Sequence, residues 1–90
     1  MAQLQQRKYP DCAPAKCFWV NNGPILKNIA ELGNALRRMS DKTFQHHVAK
    51  NKNDFAKWIE DVFRDKNLAQ AVRQAKGKEG IIRVVEYSLM

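Results

Sequence analysis

The sequence predicts an all-α fold: a compact bundle of four to five short helices with an extended N-terminal arm. Three observations carry that expectation. Apolar residues recur at three- and four-residue spacing from Ile29 onward, the period that lines one face of a helix. Asn28, Ser40, Asn53 and Asp65 each stand just before such a run, where a short polar side chain can accept from an unpaired helix N–H. Pro10 and Pro14 sit among few large apolar residues, a pattern that resists both helix and core. The expected organisation is a basic arm over residues 1–17 and a single helical domain over residues 18–90.

The elements follow in chain order. In the arm, Arg7, Lys8 and Lys16 outnumber Asp11. Phe18-Trp19-Val20 is the first dense apolar cluster, and Asn21-Asn22-Gly23-Pro24 is a turn signal. Burial of Phe18 or Trp19 would anchor the arm. A short strand is the alternative, but no partner strand is evident. An exposed Trp19 would suit base stacking. Asn28 and Glu31 form an Asn-x-x-Glu capping box, followed by a face of Ile29, Leu32, Leu36 and Met39. Gly33 allows close approach of another element. Arg37 and Arg38 fall in the last turn, where cations suit the helix dipole.

Ser40 caps a second helix with Asp41 in its first turn, and Phe44, His47 and Val48 share its inner face. A histidine so placed is expected to hold a structural hydrogen bond near the start of the next helix. Lys50-Asn51-Lys52-Asn53 reads as a tight basic turn, with Asn51 or Asn53 capping a third helix. Phe55, Ile59 and Val62 mark the buried stripe of that helix, widened by Trp58 and Phe63. Asp65 caps a fourth helix holding Leu68, Ala69, Val72 and Ala75. Gly77-Lys78-Glu79-Gly80 reads as a flexible link. Residues 81–90 fit a closing helix better than a strand, since no sheet is expected elsewhere.

Charge is the strongest global signal. Sixteen Lys and Arg oppose nine Asp and Glu, for a net charge of +7. Such an excess in one small domain favours polyanions by counterion release, so nucleic acid is the first expected partner, as DNA or ribosomal RNA. No apolar run approaches the ~20 residues of a membrane helix, and the N-terminus lacks a signal-peptide core. No membrane association and a cytoplasmic location are therefore expected.

Catalytic patterns are missing. There is no glycine-rich phosphate loop, nucleophile motif, paired carboxylates, zincin or EF-hand pattern. Neither an enzyme nor a cofactor is expected. Cys12 and Cys17 have a spacing that zinc sites allow. The two histidines are adjacent, however, and point about 100° apart on a helix, so no metal is expected. Free thiols are the plain reading of the cysteines, although a small-loop disulfide is chemically possible.

The candidate phosphate contacts are Lys50, Lys52, Lys57, Arg37, Arg38, Arg73, Lys76 and Lys78. Lys50, Lys52 and Lys57 surround a helix start, whose N–H groups add donors for a phosphate. Asp54 competes for those donors. No Arg/Asn cluster on one helix suggests a base code, so the contacts should position rather than specify.

The order Phe18-Trp19, Asn22-Gly23, Met39-Ser40-Asp41, Phe44-x-x-His47, Asn53-Asp54-Phe55-x-x-Trp58-Ile59 and Leu68-Ala69 resembles a family of small helical domains of unknown function, found mainly in archaea. The resemblance spans about residues 18–76, and its most specific piece is the histidine followed by Asn-Asp-Phe-x-x-Trp-Ile. It implies a helical bundle and an archaeal source, and it brings no catalytic residues. The cysteine pair and the basic balance lie outside it.

The expected function is a non-enzymatic nucleic-acid-associated protein, nucleoid-type or ribosome-associated, that binds DNA or structured RNA through phosphates. A protein-interaction module or accessory subunit, anchored by Trp19, Trp58 or Phe63, is the alternative. A small zinc-stabilised domain is the third reading.

Overall fold

A computed structural model describes residues 9–90. Five helices and two short hairpins are built in the order β1 (Phe18–Trp19), β2 (Ile25–Leu26), α1 (Ile29–Arg38), α2 (Asp41–His47), β3 (Val48–Ala49), β4 (Lys52–Asn53), α3 (Asp54–Phe63), α4 (Lys66–Gln74) and α5 (Gly77–Ser88). The fold is mostly helical, which corrects the all-α expectation.

The first hairpin arises because the Asn22-Gly23-Pro24 turn folds Ile25–Leu26 back onto Phe18–Trp19. The strands pair antiparallel, Phe18 with Leu26 and Trp19 with Ile25. Asn22 takes the left-handed conformation, with φ at 58°. Gly23 packs so closely that a Cβ there would lie 2.8 Å from the Val20 side chain. Period-two alternation then sorts the side chains. Phe18 and Leu26 are buried, and Trp19 and Ile25 face outward. The short-strand alternative for Phe18–Trp19 is the one realised, and the partner not evident in the sequence is Ile25–Leu26.

The basic turn also becomes a hairpin, with Val48 opposite Asn53 and Ala49 opposite Lys52. It links α2 to α3.

Caps define the helices much as their residue types require. Asn28 Oδ1 accepts from the Glu31 N–H at 2.8 Å, Ser40 Oγ from Thr43 at 3.1 Å, Asn53 Oδ1 from Ala56 at 3.0 Å and Asp65 Oδ1 from Leu68 at 2.9 Å. Each satisfies an N–H that the helix leaves unpaired. Of the two asparagines that could cap α3, Asn53 does so. Arg64 ends α3 in the left-handed region, with φ at 58°.

The helix layer runs α3 on α4, α4 on α5 and α5 on α1. Gly33 of α1 faces Val85 of α5, where an added Cβ would sit 3.5 Å from Val85 Cγ1. Ile29, Leu32, Leu36, Phe55, Ile59, Val72, Ile81 and Val85 form the fully buried centre. The expected link at residues 77–80 is instead the first turn of α5. The Ile81-Ile82 pair is buried directly after it, so the chain gains by starting the helix early. The helical expectation for the C-terminal segment holds through Ser88.

Residues 9–17 do not extend from the body. Tyr9 Oη donates to Asp65 at 2.6 Å, and its ring lies edge-on to Phe63 at 6.2 Å. The Cys12 N–H donates to the Lys27 carbonyl at 2.8 Å, and Asp11 accepts from Asn28 Nδ2 at 2.7 Å. A 3-10 turn at Pro14–Lys16 follows, and the Trp58 indole N–H donates to the Lys16 carbonyl at 2.7 Å. This stretch is a strap across the α3–α4 corner. The rest of the expected arm, residues 1–8, lies outside the described residues.

Tyr9 gives the strap a pH dependence. Burial, with the neighbouring Asp65 carboxylate, pushes its phenol from 10 up to about 12. The unfolded chain therefore loses this proton first as pH rises, and folding stability falls wherever the folded state holds more protons. The Tyr9 contribution is complete below pH 10 and declines between pH 10 and about 12. Urea titrations of wild type and Tyr9→Phe across that range check this. The difference between the two proteins should shift in the variant's favour above pH 10.

Candidate nucleic-acid interface

The β3–β4 hairpin and the facing ends of α3, α4 and α5 enclose a cleft of about 730 Å³. Four of the eight candidate cations line it: Lys50, Lys52, Lys57 and Arg73. Lys50 stands at the hairpin tip and Lys52 on β4. Lys57 projects from the second turn of α3, and Arg73 reaches across from α4. Lys76 lies between two further lining residues, Ala75 and Gly77, and is exposed.

Acidic residues share the cleft. Lys52 Nζ lies 3.3 Å from Asp54, Lys57 Nζ 3.0 Å from Asp61, and Arg73 Nη1 2.7 Å from Glu60. Lys50 and Lys76 have no carboxylate partner among the described residues. The three pairs are largely solvent-facing, and such pairs contribute about 0–1 kcal/mol each. Breaking such a pair costs little, but Asp54, Glu60 and Asp61 themselves line the cleft and repel a bound phosphate, so Lys50 and Lys76 are the cations most open to one.

Arg37, Arg38 and Lys78 do not line this cleft. Arg37 clamps Glu86 of α5 with two bonds, at 2.5 and 2.7 Å. Hydrogen bonding to Arg37 holds the Glu86 carboxyl below its ordinary value, and the same bond raises Arg37. Lys78 donates to the Met39 carbonyl at 2.9 Å and pairs with Asp41 at 3.0 Å. It closes the end of α1, and only about a fifth of its side chain is exposed. Arg38 is exposed at the end of α1 and has no ion pair among the described residues. The candidates thus fall into a cleft group, Lys50, Lys52, Lys57, Arg73 and the adjoining Lys76, and three residues elsewhere. Two of those three, Arg37 and Lys78, serve as struts between helices.

His47 is structural, as its position on the α2 face suggests. Its Nε2 accepts from the Asn21 N–H at 3.0 Å, which leaves the proton on Nδ1, 3.1 Å from Asp54 Oδ2. Both ring nitrogens are committed, so neither is free for metal or proton transfer. Among the described residues, no group of three or more His, Cys, Asp or Glu could hold a metal ion.

The aromatic candidates separate by burial. Trp58 is 7% exposed and packs into the core, which leaves little of it for docking, while Phe63 is half-buried and lies ring to ring with it at 5.1 Å. Trp19 is 73% exposed, beside Ile25 at 48%. Hairpin pairing puts these two on one face, a juxtaposition that helical periodicity does not reveal. Alternation of Phe18-Trp19 against Ile25-Leu26 around an Asn-Gly-Pro turn was the signal that carried it.

The fold defines a small, mainly helical domain with two hairpins and a strap. No family model, curated protein or solved structure matches the chain. Among the described residues, no helix is long and apolar enough to cross a membrane.

Proposed function

We propose that the protein is a non-enzymatic nucleic-acid-associated protein that grips DNA or structured RNA by its phosphates. The contact surface is the cleft rimmed by Lys50, Lys52, Lys57 and Arg73, with Lys76 beside it. The observation that carries this reading is the unbalanced charge of the rim. Lys50 and Lys76 lack carboxylate partners among the described residues, on a chain of net charge +7. Lys52, Lys57 and Arg73 are paired with Asp54, Asp61 and Glu60 and reach a phosphate only as those exposed side chains swing aside. Backbone contact without base readout suits a nucleoid-type or ribosome-associated role. The resemblance to small archaeal domains is compatible with such a role and assigns none.

Fluorescence anisotropy with duplex DNA and with structured RNA, across a salt series, tests the proposal. Affinity should fall steeply with salt, by about 0.9 in log–log slope for each duplex phosphate neutralised. The double variant Lys50→Glu/Lys76→Glu should weaken binding about tenfold or more and flatten the slope by about 2. Lys42→Glu/Arg83→Glu, an exposed pair outside the cleft lining with the same change in net charge, should have a much smaller effect. Equal losses from both proteins would mean that net charge alone drives binding. No binding at low salt would sink the proposal.

A second reading rests on the exposed Trp19–Ile25 face. Such a pair suits an anchor for a protein partner, since aromatic side chains dominate binding hot spots. Under it, Trp19→Ala abolishes association and the lysine variants leave it intact. Pull-down with each variant separates the two readings.

A further inference from the structure

Cys12 and Cys17 flank the 3-10 turn of the strap, and their sulfurs lie 3.9 Å apart. Both are half-buried free thiols. The residues around them are held at several points: Cys12 by its N–H bond to Lys27, and Lys16 by the indole of Trp58. Cys17 is also fixed by the strand that begins at Phe18. Two thiols held this close by a folded backbone meet far more often than two thiols on a free chain. Bond formation requires the sulfurs to close from 3.9 Å to about 2.0 Å, a movement within reach of side-chain rotation.

We propose that Cys12 and Cys17 are a reversible dithiol switch that a small-molecule disulfide oxidises to an intramolecular disulfide, stapling the strap. Cys12 directs its S–H toward Cys17. Burial and this contact keep the Cys12 thiol protonated beyond its ordinary range. Cys12 packs against the core, whereas the contact of Cys17 with the Ala13 carbonyl faces solvent, so Cys17 is the attacking sulfur. Its thiolate attacks one sulfur of the oxidant, the oxidant's S–S bond breaks, and one thiolate leaves. The Cys12 thiol then gives up its proton to solvent, and its sulfur displaces the second oxidant thiolate from Cys17. Two protein thiols are oxidised by two electrons, and one disulfide is reduced to two thiols.

The closed ring contains Lys16, whose carbonyl holds Trp58, so oxidation ties the redox state to the α3–α4 corner. The strap also walls a cleft of about 850 Å³ lined in part by Cys12, Lys16, Arg64 and Lys66, so closing the ring reshapes one wall of it.

The test uses the full chain equilibrated in mixtures of reduced and oxidised glutathione, quenched in acid, alkylated and weighed intact. The expected product is a monomer lacking two hydrogens and bearing no alkyl group, reversed by dithiothreitol. At a given glutathione ratio, conversion should favour the disulfide about tenfold or more over the same chain in concentrated guanidinium, equivalent to a potential difference of about 30 mV. Cys12→Ser should stop at a mixed disulfide on Cys17, and Cys17→Ser should form an adduct more slowly. The oxidised wild type should melt several degrees higher than the reduced form. Full alkylation of both cysteines at every ratio would overturn the proposal. So would equal conversion in guanidinium, or cross-linked dimers as the main product.

Discussion

Phe55→Ala should cost about 4 kcal/mol, the range for removing a fully buried aromatic ring. Phe55 is 0% exposed and packs from α3 against the first hairpin and α2. Its ring lies 5.1 Å from Phe18, 5.3 Å from His47 and 6.3 Å from Phe44. Removing it empties space lined by Phe18 of β1 and by Phe44 and His47 of α2, and rigid elements close only part of such a void. A domain of 90 residues has only about 5–15 kcal/mol of total stability. The variant should therefore melt some 15–30 °C lower, which thermal denaturation by circular dichroism would register. Phe55→Leu should recover about half of the loss, because it restores most of the volume without the ring contacts. A shift of only a few degrees for the alanine variant would mean that the core at this junction is loosely packed.

This junction also shows which parts of the fold local rules reveal. The caps at Asn28, Ser40, Asn53 and Asp65 were legible because capping depends on one side chain and an N–H three residues away. The buried stripes were legible for a similar reason, since a helical face repeats within a few residues. What stayed hidden depends on pairing at a distance. Ile25–Leu26 becomes a strand only because Phe18–Trp19 offers it an edge. Trp58 stands on the buried stripe, but the acceptor of its N–H, the Lys16 carbonyl 42 residues away, is set only by the strap.

The candidate site divides in the same way. Charge and the basic turn pointed to Lys50, Lys52 and Lys57, and Arg73 joins them through the packing of α4 on α3. Arg37 and Lys78 have the same charge but are engaged by Glu86 and by Asp41 with the Met39 carbonyl. Nothing in the composition of their own segments distinguishes them from the cleft residues. Only the position of α5 does.

His47→Ala should cost about 2–3 kcal/mol, and the loss should be concentrated in the first hairpin. The imidazole is buried and joins the first hairpin to the start of α3. Nε2 accepts from Asn21 in the β1–β2 turn, and Nδ1–H donates to Asp54 at the start of α3. Without the ring, the Asn21 N–H and one Asp54 contact lose their partner, and an unmet buried donor costs about 1–3 kcal/mol. Asp54 keeps Lys52 at 3.3 Å, so α3 should hold its start. The Asn21 turn should open more often, which amide hydrogen exchange at Asn21, Asn22 and Gly23 would report. His47→Gln replaces one bond at most and should fall between wild type and alanine. In the wild-type protein, ¹⁵N NMR of the ring should show the proton on Nδ1, because Nε2 must present a lone pair to Asn21. A proton on Nε2 would remove this basis for the prediction. The histidine of the His-x5-Asn-Asp-Phe-x-x-Trp-Ile pattern then acts as a rivet. It fixes the turn that displays Trp19 and Ile25 relative to the helix whose start borders the basic cleft.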